Sequence, residues 1–287
     1  MKGAFILKNK IYQNIWFKII IVIIITVFCI LYLFQTFPAQ KQVKNASLND
    51  FTSHLNMRIP LIMQEYEIPG ANIAIIKDGK LAWSKSYGYA DLGHNEKMQV
   101  GNYCRVESIS KSVTAWGVMK LVQEGKVDLD QPVQNYIKSW EIPDSSYFED
   151  EVTPRLLLSN TAGMPLGTIG VRYAPQEKKP TLKECLTKDA VLRQKPGESF
   201  YYSNTGFNIL ELLIEDVSGQ SFAEYMNEEI LMPLHMTNST FQWSEDINNK
   251  IPNGYDSKGK EIPVYVYPDK ASGGLFATVE DIARFVT

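Results

Sequence analysis

The sequence predicts an α/β or α+β domain: an antiparallel β-sheet flanked by helices, with a mostly helical subdomain, behind an N-terminal transmembrane helix. Three observations predict it. An uncharged apolar run lies near the N-terminus, a stretch of alternating apolar residues turns back on itself after residue 70, and the apolar period becomes helical from residue 108 onward. The 287 residues are 45% hydrophobic, ample for a core, which sets aside a disordered or fibrous chain. Lys and Arg total 29 against 32 Asp and Glu, with no basic block beyond residue 18, so there is no stripe for a polyanion and nucleic acid is not an expected partner.

Residues 1–18 form a basic flank with Lys2, Lys8, Lys10 and Lys18 and no acid, leaving 25 basic against 32 acidic groups, a formal −7, on the rest of the chain. From Ile19 to Phe37 no residue is charged. At ~1.5 Å per residue this run makes ~28 Å of helix, close to the hydrocarbon thickness of a bilayer. It is expected to span the membrane. The positive-inside rule keeps the lysine flank in the cytoplasm and puts residues after about 40 outside. A cleaved signal peptide shares the positive start and apolar middle. The length of the run, and bulky Phe37 where cleavage wants a small residue, favour a retained anchor. Phe28 before Cys29 argues against a lipidation site, and Cys29 reads as an ordinary apolar residue.

Residues 38–49 are polar and aperiodic, a linker, and the domain is expected over 50–287. Phe51, Leu55, Ile59 and Ile62 have roughly helical spacing, with Pro60 expected to break or restart the helix. Ile73 and Ile75, the Asp78-Gly79 turn, and Leu81, Trp83, Tyr87 and Tyr89 on the return predict a β-hairpin. Ile109, Val113, Trp116, Met119 and Val122 predict a helix with one buried face that stops at Gly125. Thr153-Pro154 supplies a cap and a first-turn proline, and Thr181 with Glu184 and Ser221 with Glu224 read as capping boxes. Thr278 with acids at 280 and 281 starts another amphipathic helix, inside which the sequence ends.

Several enzyme templates are missing: no G-x-S-x-G elbow, H-E-x-x-H, phosphate loop or Rossmann glycine run is present. The cysteines at 29, 104 and 185 are too few and scattered for a disulfide framework or a tetrahedral zinc site, and the histidines at 54, 94 and 235 lack ligand spacing. Cys104 and Cys185 read as two unlinked thiols. His94 falls in a polar loop and His235 in a helix-terminating turn, both structural or exposed positions.

What remains is Ser108 with Lys111, three residues apart at a helix start and so on one face. A lysine takes a serine proton only if its pKa is lowered, and partial burial with the positive end of the helix both push that way. The same helix start offers N–H groups to an oxyanion. The S-x-x-K pattern alone is weak, since on the order of one copy is expected by chance in a chain of this size. Ser257 to Lys260 is a second copy, in a glycine-containing loop without fixed geometry. A partner for the proton relay is offered by Tyr202-Ser203-Asn204, between a Pro196-Gly197 turn and an apolar helix beginning around Phe207. Two other Y-x-N tripeptides fall before the apolar run and within a capped helix.

Five ordered blocks then carry a resemblance: residues 70–89 (GANIAIIKDGKLAWSKSYGY), 106–133 around SISK, 156–165 (LLLSNTAGMP), 196–206 (PGESFYYSNTG) and 271–285 (ASGGLFATVEDIARF). In order they resemble the class C β-lactamase-like serine hydrolases, which include β-lactamases, penicillin-binding D-alanyl-D-alanine peptidases and esterases. The resemblance covers about residues 50–287. It implies a β-lactamase/transpeptidase-like fold, with Ser108 as the acylated nucleophile, Lys111 as the activating amine and Tyr202 as general base and later acid. Asn204 would bond the substrate amide or Lys111. No metal or organic cofactor is implied, and the expected partner is a small-molecule or cell-wall peptide substrate. The departures are equally specific. The family's K-T-G or H-x-G tripeptide is absent, Lys77-Asp-Gly79 fitting K-x-G only in a hairpin turn, and Asn160 stands where the family often has His. With the end inside a helix, the expectation is a C-terminally truncated member. The competing expectation is a non-catalytic penicillin- or peptidoglycan-binding or sensor protein, or an inactive truncated homologue.

Overall fold

A computed structural model of the chain describes residue 26 and residues 47–169 and 171–287. The expected membrane span over 19–37 lies outside the described residues, Thr26 apart. Among the described residues no helix is long and apolar enough to cross a membrane. The chain divides into two units, Met1–Met57 and Arg58–Thr287, and everything that follows concerns the second unless stated.

Helix α1, Leu48–Glu65, runs across that division. It continues through Pro60, contrary to the expected break. A proline removes one i to i−4 bond and crowds the carbonyl four residues back, a cost of ~3 kcal/mol, yet the helix persists for five residues beyond it. Strands β1, Gly70–Lys77, and β2, Lys80–Asp91, form the expected hairpin, with Ile75 facing Trp83 and both turn residues, Asp78 and Gly79, at positive φ. A third strand, β3 (Glu96–Lys97), pairs antiparallel with β2.

Strand β4, Cys104–Arg105, leads into helix α2, Ile109–Gln123. Gly125, at φ +70°, ends that helix as its position predicts. The following stretch is less helical than expected. It holds only short 3-10 turns at Val133–Asn135 and Glu149–Glu151 before helix α3, Pro154–Leu158, and then helix α4, Leu182–Asp189. Pro132 and Pro143 interrupt this region, and each denies the backbone a helical donor. Helix α5 is Asn204–Ser218, and α6, Phe222–Met226, passes into a π turn at Asn227–Leu231.

The remaining elements are short. Strand β5 is Ser239–Thr240, helix α7 Glu245–Asn248, β6 Gly254–Tyr255, β7 Glu261–Ile262, β8 Phe276–Ala277 and helix α8 Val279–Phe285. Among the described residues the strands form three antiparallel sheets: β1-β2-β3, β4-β8-β5 with β8 central, and the β6-β7 ribbon.

The core lies among the helices. Residues 205–214 of α5 are buried all round, as expected of a helix enclosed by its neighbours. Val113, Val118 and Leu121 of α2, Leu157 of α3, Leu186 of α4 and Phe222 and Met226 of α6 share that core. Helix α8 is tied to its surroundings by polar contacts. Ser84 of β2 donates to Glu280 at 2.7 Å, and the fully buried Asp281 carboxylate accepts from Asn238 N at 2.7 Å and Ser239 Oγ at 2.9 Å.

A candidate active site at the start of helix α2

Ser108 occupies the N-cap position of α2, where a serine oxygen normally accepts a backbone N–H from the first turn. Here it makes no such bond. Ser108 Oγ instead accepts from Tyr202 Oη at 2.8 Å and from Lys111 Nζ at 3.2 Å. Its own N–H donates to no group among the described residues, which leaves a donor at the positive end of a helix. Ser108 is exposed, so an incoming carbonyl reaches it.

The residue before it carries backbone strain. Glu107 sits at φ +45°, in the left-handed region that non-glycine residues rarely adopt. Its carboxylate accepts from Tyr265 Oη at 3.0 Å and Tyr267 Oη at 3.2 Å, and Arg105 Nε lies 3.6 Å away. Arg105 is in turn packed against the rings of Tyr265 and Phe276 at 4.2 and 4.4 Å. This network holds the turn that presents Ser108.

Lys111 is 6% exposed. The amine donates to Ser272 O at 2.7 Å and lies 4.9 Å from the Tyr202 ring centroid. Burial raises the Tyr202 phenol, but hydrogen bonds to Lys111 and Ser108 and the Lys111 charge outweigh it, so the phenol titrates below its ordinary value. A phenol more easily ionised than usual, bonded to a serine hydroxyl, is poised to take a proton from it.

Tyr202 is placed by its neighbours in sequence. Ser203 caps α5, its Oγ accepting from Gly206 N at 2.8 Å and donating to Pro165 O at 2.6 Å. Asn160, at φ +57°, receives Tyr201 N on its carbonyl at 2.8 Å and Ser203 N on its Oδ1 at 3.0 Å. Asn160 therefore grips both sides of Tyr202. Sequence reasoning missed this role, though an asparagine in a turn is the residue that most often takes a left-handed conformation.

The structure thus brings Ser108, Lys111 and Tyr202 into one hydrogen-bonded cluster. Asn204 differs from expectation. It is the first residue of α5 rather than part of a loop, its N–H donates to Leu166 O at 3.1 Å, and Lys111 takes Ser272 O as its second partner in place of the Asn204 side chain. The helix starts earlier than Phe207 because the Ser203 cap precedes the apolar run. The second S-x-x-K copy, 257–260, lies in the exposed turn joining β6 and β7.

His94 pairs with Asp91 at 2.7 Å on the surface, and His235 takes a left-handed turn at φ +56°. Cys104 and Cys185 are free thiols, both pushed up by burial, Cys185 to about 11. Among the described residues no three His, Cys, Asp or Glu side chains are grouped to hold a metal ion.

Comparison with known proteins places this cluster in context. The family profile described as Beta-lactamase matches residues 56–287. The chain is 30% identical to Protein flp of Staphylococcus aureus (strain N315) over 246 residues, 83% of this chain and 49% of that one. It is 27% identical to Serine beta-lactamase-like protein LACTB, mitochondrial, of Homo sapiens, over 78% of this chain and 54% of that one. Among solved structures, the octameric penicillin-binding protein homologue from Pyrococcus abyssi superposes with a TM-score of 0.67 at 33% identity, covering 82% of this chain and 55% of that chain. The chain spans about half the length of the curated relatives it matches.

Proposed function

Because the chain belongs to the Beta-lactamase family, we propose that it is a serine hydrolase that forms an acyl-enzyme at Ser108, held at the outer face of a membrane by residues 19–37. Its fold is the β-lactamase/transpeptidase-like α/β fold of helices with antiparallel sheets. The observation that carries the activity is the placement of one exposed hydroxyl, Ser108 Oγ, within hydrogen-bond reach of both a phenol and an amine.

In this reading Tyr202, as phenolate, takes the Ser108 proton while Oγ attacks a carbonyl carbon, and Lys111 stabilises the phenolate by charge and hydrogen bond. The unbonded Ser108 N–H faces the developing oxyanion. Tyr202 then returns its proton to the departing nitrogen or oxygen, leaving an ester on Ser108. Water, deprotonated by the Tyr202 phenolate so regenerated, cleaves that ester, and Tyr202 passes the proton to the departing Ser108 Oγ. Asn204 is assigned to the amide of the substrate. The substrate class is a β-lactam, a D-alanyl peptide of the cell wall or an ester, each with an acyl carbon open to serine.

A non-catalytic penicillin- or peptidoglycan-binding protein or sensor is the second reading. The two are separated by incubating the protein with a fluorophosphonate and with labelled penicillin. A covalent adduct on Ser108, absent in Ser108→Ala, with turnover of a chromogenic cephalosporin or a short-chain ester, supports the hydrolase. An adduct without turnover supports the binding protein, and no adduct with either probe defeats the acyl-enzyme.

A further inference from the structure

Lys111 Nζ donates to Ser272 O, so whatever fixes Ser272 also fixes the amine beside Ser108. The segment from Lys270 to Leu275 is irregular, and side chains from two helices hold it. From α2, Thr114 Oγ1 donates to Ala271 O at 3.0 Å and Ser110 Oγ accepts from Leu275 N at 3.1 Å. From α5, Glu211 Oε2 accepts from Lys270 N at 2.6 Å and from Ala271 N at 2.7 Å.

Glu211 is 1% exposed, in a helical stretch otherwise built of Ile209, Leu210, Leu212, Leu213 and Ile214. Burying a carboxyl there is costly unless specific bonds repay it. Those bonds go to the two peptide groups just before Ser272, one residue removed from the Lys111 acceptor. They do not go to Ser108, Lys111 or Tyr202.

We infer that Glu211 is a positioning residue for the Ser108 centre: by gripping the 270–271 backbone it sets where the Ser272 carbonyl, and through it the Lys111 amine, stands. The inference rests on the acyl-enzyme reading above for its effect on rate, though not for its effect on Lys111.

The groups facing this clamp are Lys270, whose Nζ lies 3.9 Å from Glu211 Oε1, and Asp269 on the same segment; Asp189 at the end of α4, which acts on Asp269; and Lys111 on α2. Burial pushes the Glu211 carboxyl up to about 7, against the Lys270 charge and the two N–H groups that pull it down. An ionised carboxylate is a stronger acceptor than a protonated one. The grip on residues 270 and 271 therefore tightens as pH rises through about 7.

The test uses the full chain as Glu211→Gln and Glu211→Ala, with melting temperature followed alongside two readouts. The first is the rate at which Ser108 is phosphonylated by a fluorophosphonate, with loss of fluoride, from pH 5 to 9. The second is the NMR signal of the Lys111 side-chain amine, assigned by its loss in Lys111→Met. In folded Glu211→Ala, phosphonylation is expected to slow about 10- to 100-fold with apparent probe affinity changed less than about twofold, the cost of a misplaced group rather than of lost binding. In Glu211→Gln the inflection near neutral pH is expected to vanish, and the Lys111 signal to lose its step over the same range. A wild-type phosphonylation rate and pH profile in a folded Glu211→Ala protein would overturn the inference. If Glu211→Ala does not fold, an unaltered pH profile and Lys111 signal in Glu211→Gln would overturn it. If wild-type Ser108 takes no probe at all, the hydrolase reading fails, while the Lys111 signal still decides the role of Glu211.

Discussion

Helices α2 and α5 are both 15 residues long, and each follows a serine at its N-cap. Ser203 has extended backbone at φ −136°, and its hydroxyl accepts the Gly206 N–H. Ser108 has helical backbone at φ −64°, and its hydroxyl caps nothing, being bonded to Tyr202 and Lys111 instead. The same side chain at the same kind of position serves stability in one helix and is held back from it in the other. The difference lies in the preceding backbone. The left-handed turn at Glu107, fixed by Tyr265, Tyr267 and Arg105, aims the Ser108 hydroxyl away from the first-turn N–H groups of its own helix and toward Tyr202.

This contrast predicts opposite outcomes for one substitution. Ser108→Ala is expected to abolish acylation, a loss of more than about 10⁴-fold, because the nucleophile itself is gone. Its unfolding free energy should stay within about 0.5 kcal/mol of wild type, since no cap is lost. Chemical denaturation together with adduct mass measures both. A loss of about 1 kcal/mol, as expected for a true cap, would mean that Ser108 serves the helix after all.

Tyr202→Phe tests the other end of the cluster. It keeps the ring over Lys111 but removes the hydroxyl, and acylation should fall about 10²- to 10⁴-fold, the usual yield of a positioned acid or base. The pH dependence has a definite sign. A phenol lowered by Lys111 and Ser108 ionises below its ordinary value, and the working form is the phenolate. Wild-type acylation therefore rises with pH along a limb that ends below 10. In Tyr202→Phe that limb should disappear, and in Lys111→Met the residual rate should climb only at higher pH. A limb that stays in place in Lys111→Met would show that Lys111 does not act on Tyr202.

Ser203→Ala comes next in size, at about 1 kcal/mol of stability for the lost cap. It should also slow acylation modestly, because Ser203 and Asn160 together fix the Tyr202 loop. A full loss of stability with unchanged acylation would separate the cap of α5 from the placement of Tyr202.

Much of this was legible in the sequence, for a reason visible in the helix starts. Thr153, Thr181, Ser221 and Thr278 make the capping bonds their spacing predicts, because cap chemistry is local to three or four residues. Ser108 and Lys111 share that locality, and Tyr202 stood out by its place between the Pro196-Gly197 turn and an apolar helix, its role as base being what the resemblance implies. Glu211 and Asn160 were not found, because their partners lie 59 and 60 residues on for Glu211 and 43 on for Asn160. No local pattern separates Glu211 from an ordinary polar residue of a helix. Pro60 failed the other way. A local rule predicted a break, and the tertiary fold keeps α1 continuous through it.

The C-terminal ends of the two helices provide the smallest and most symmetrical test. Gly125 follows α2 at φ +70° and Gly219 follows α5 at φ +73°, and an added Cβ at either meets nothing within 4 Å. With no neighbour to clash, only backbone strain opposes alanine, and a left-handed alanine costs about 1 kcal/mol. Gly125→Ala and Gly219→Ala should therefore lower stability equally, by about 1 kcal/mol each, and leave acylation unchanged. Equal losses at these ends, beside unequal losses from Ser108→Ala and Ser203→Ala at the starts, would locate the asymmetry between the helices at the N-terminus of α2. If Gly125→Ala slowed acylation as well, the placement of Ser108 would depend on the whole length of α2 rather than on the strained turn before it.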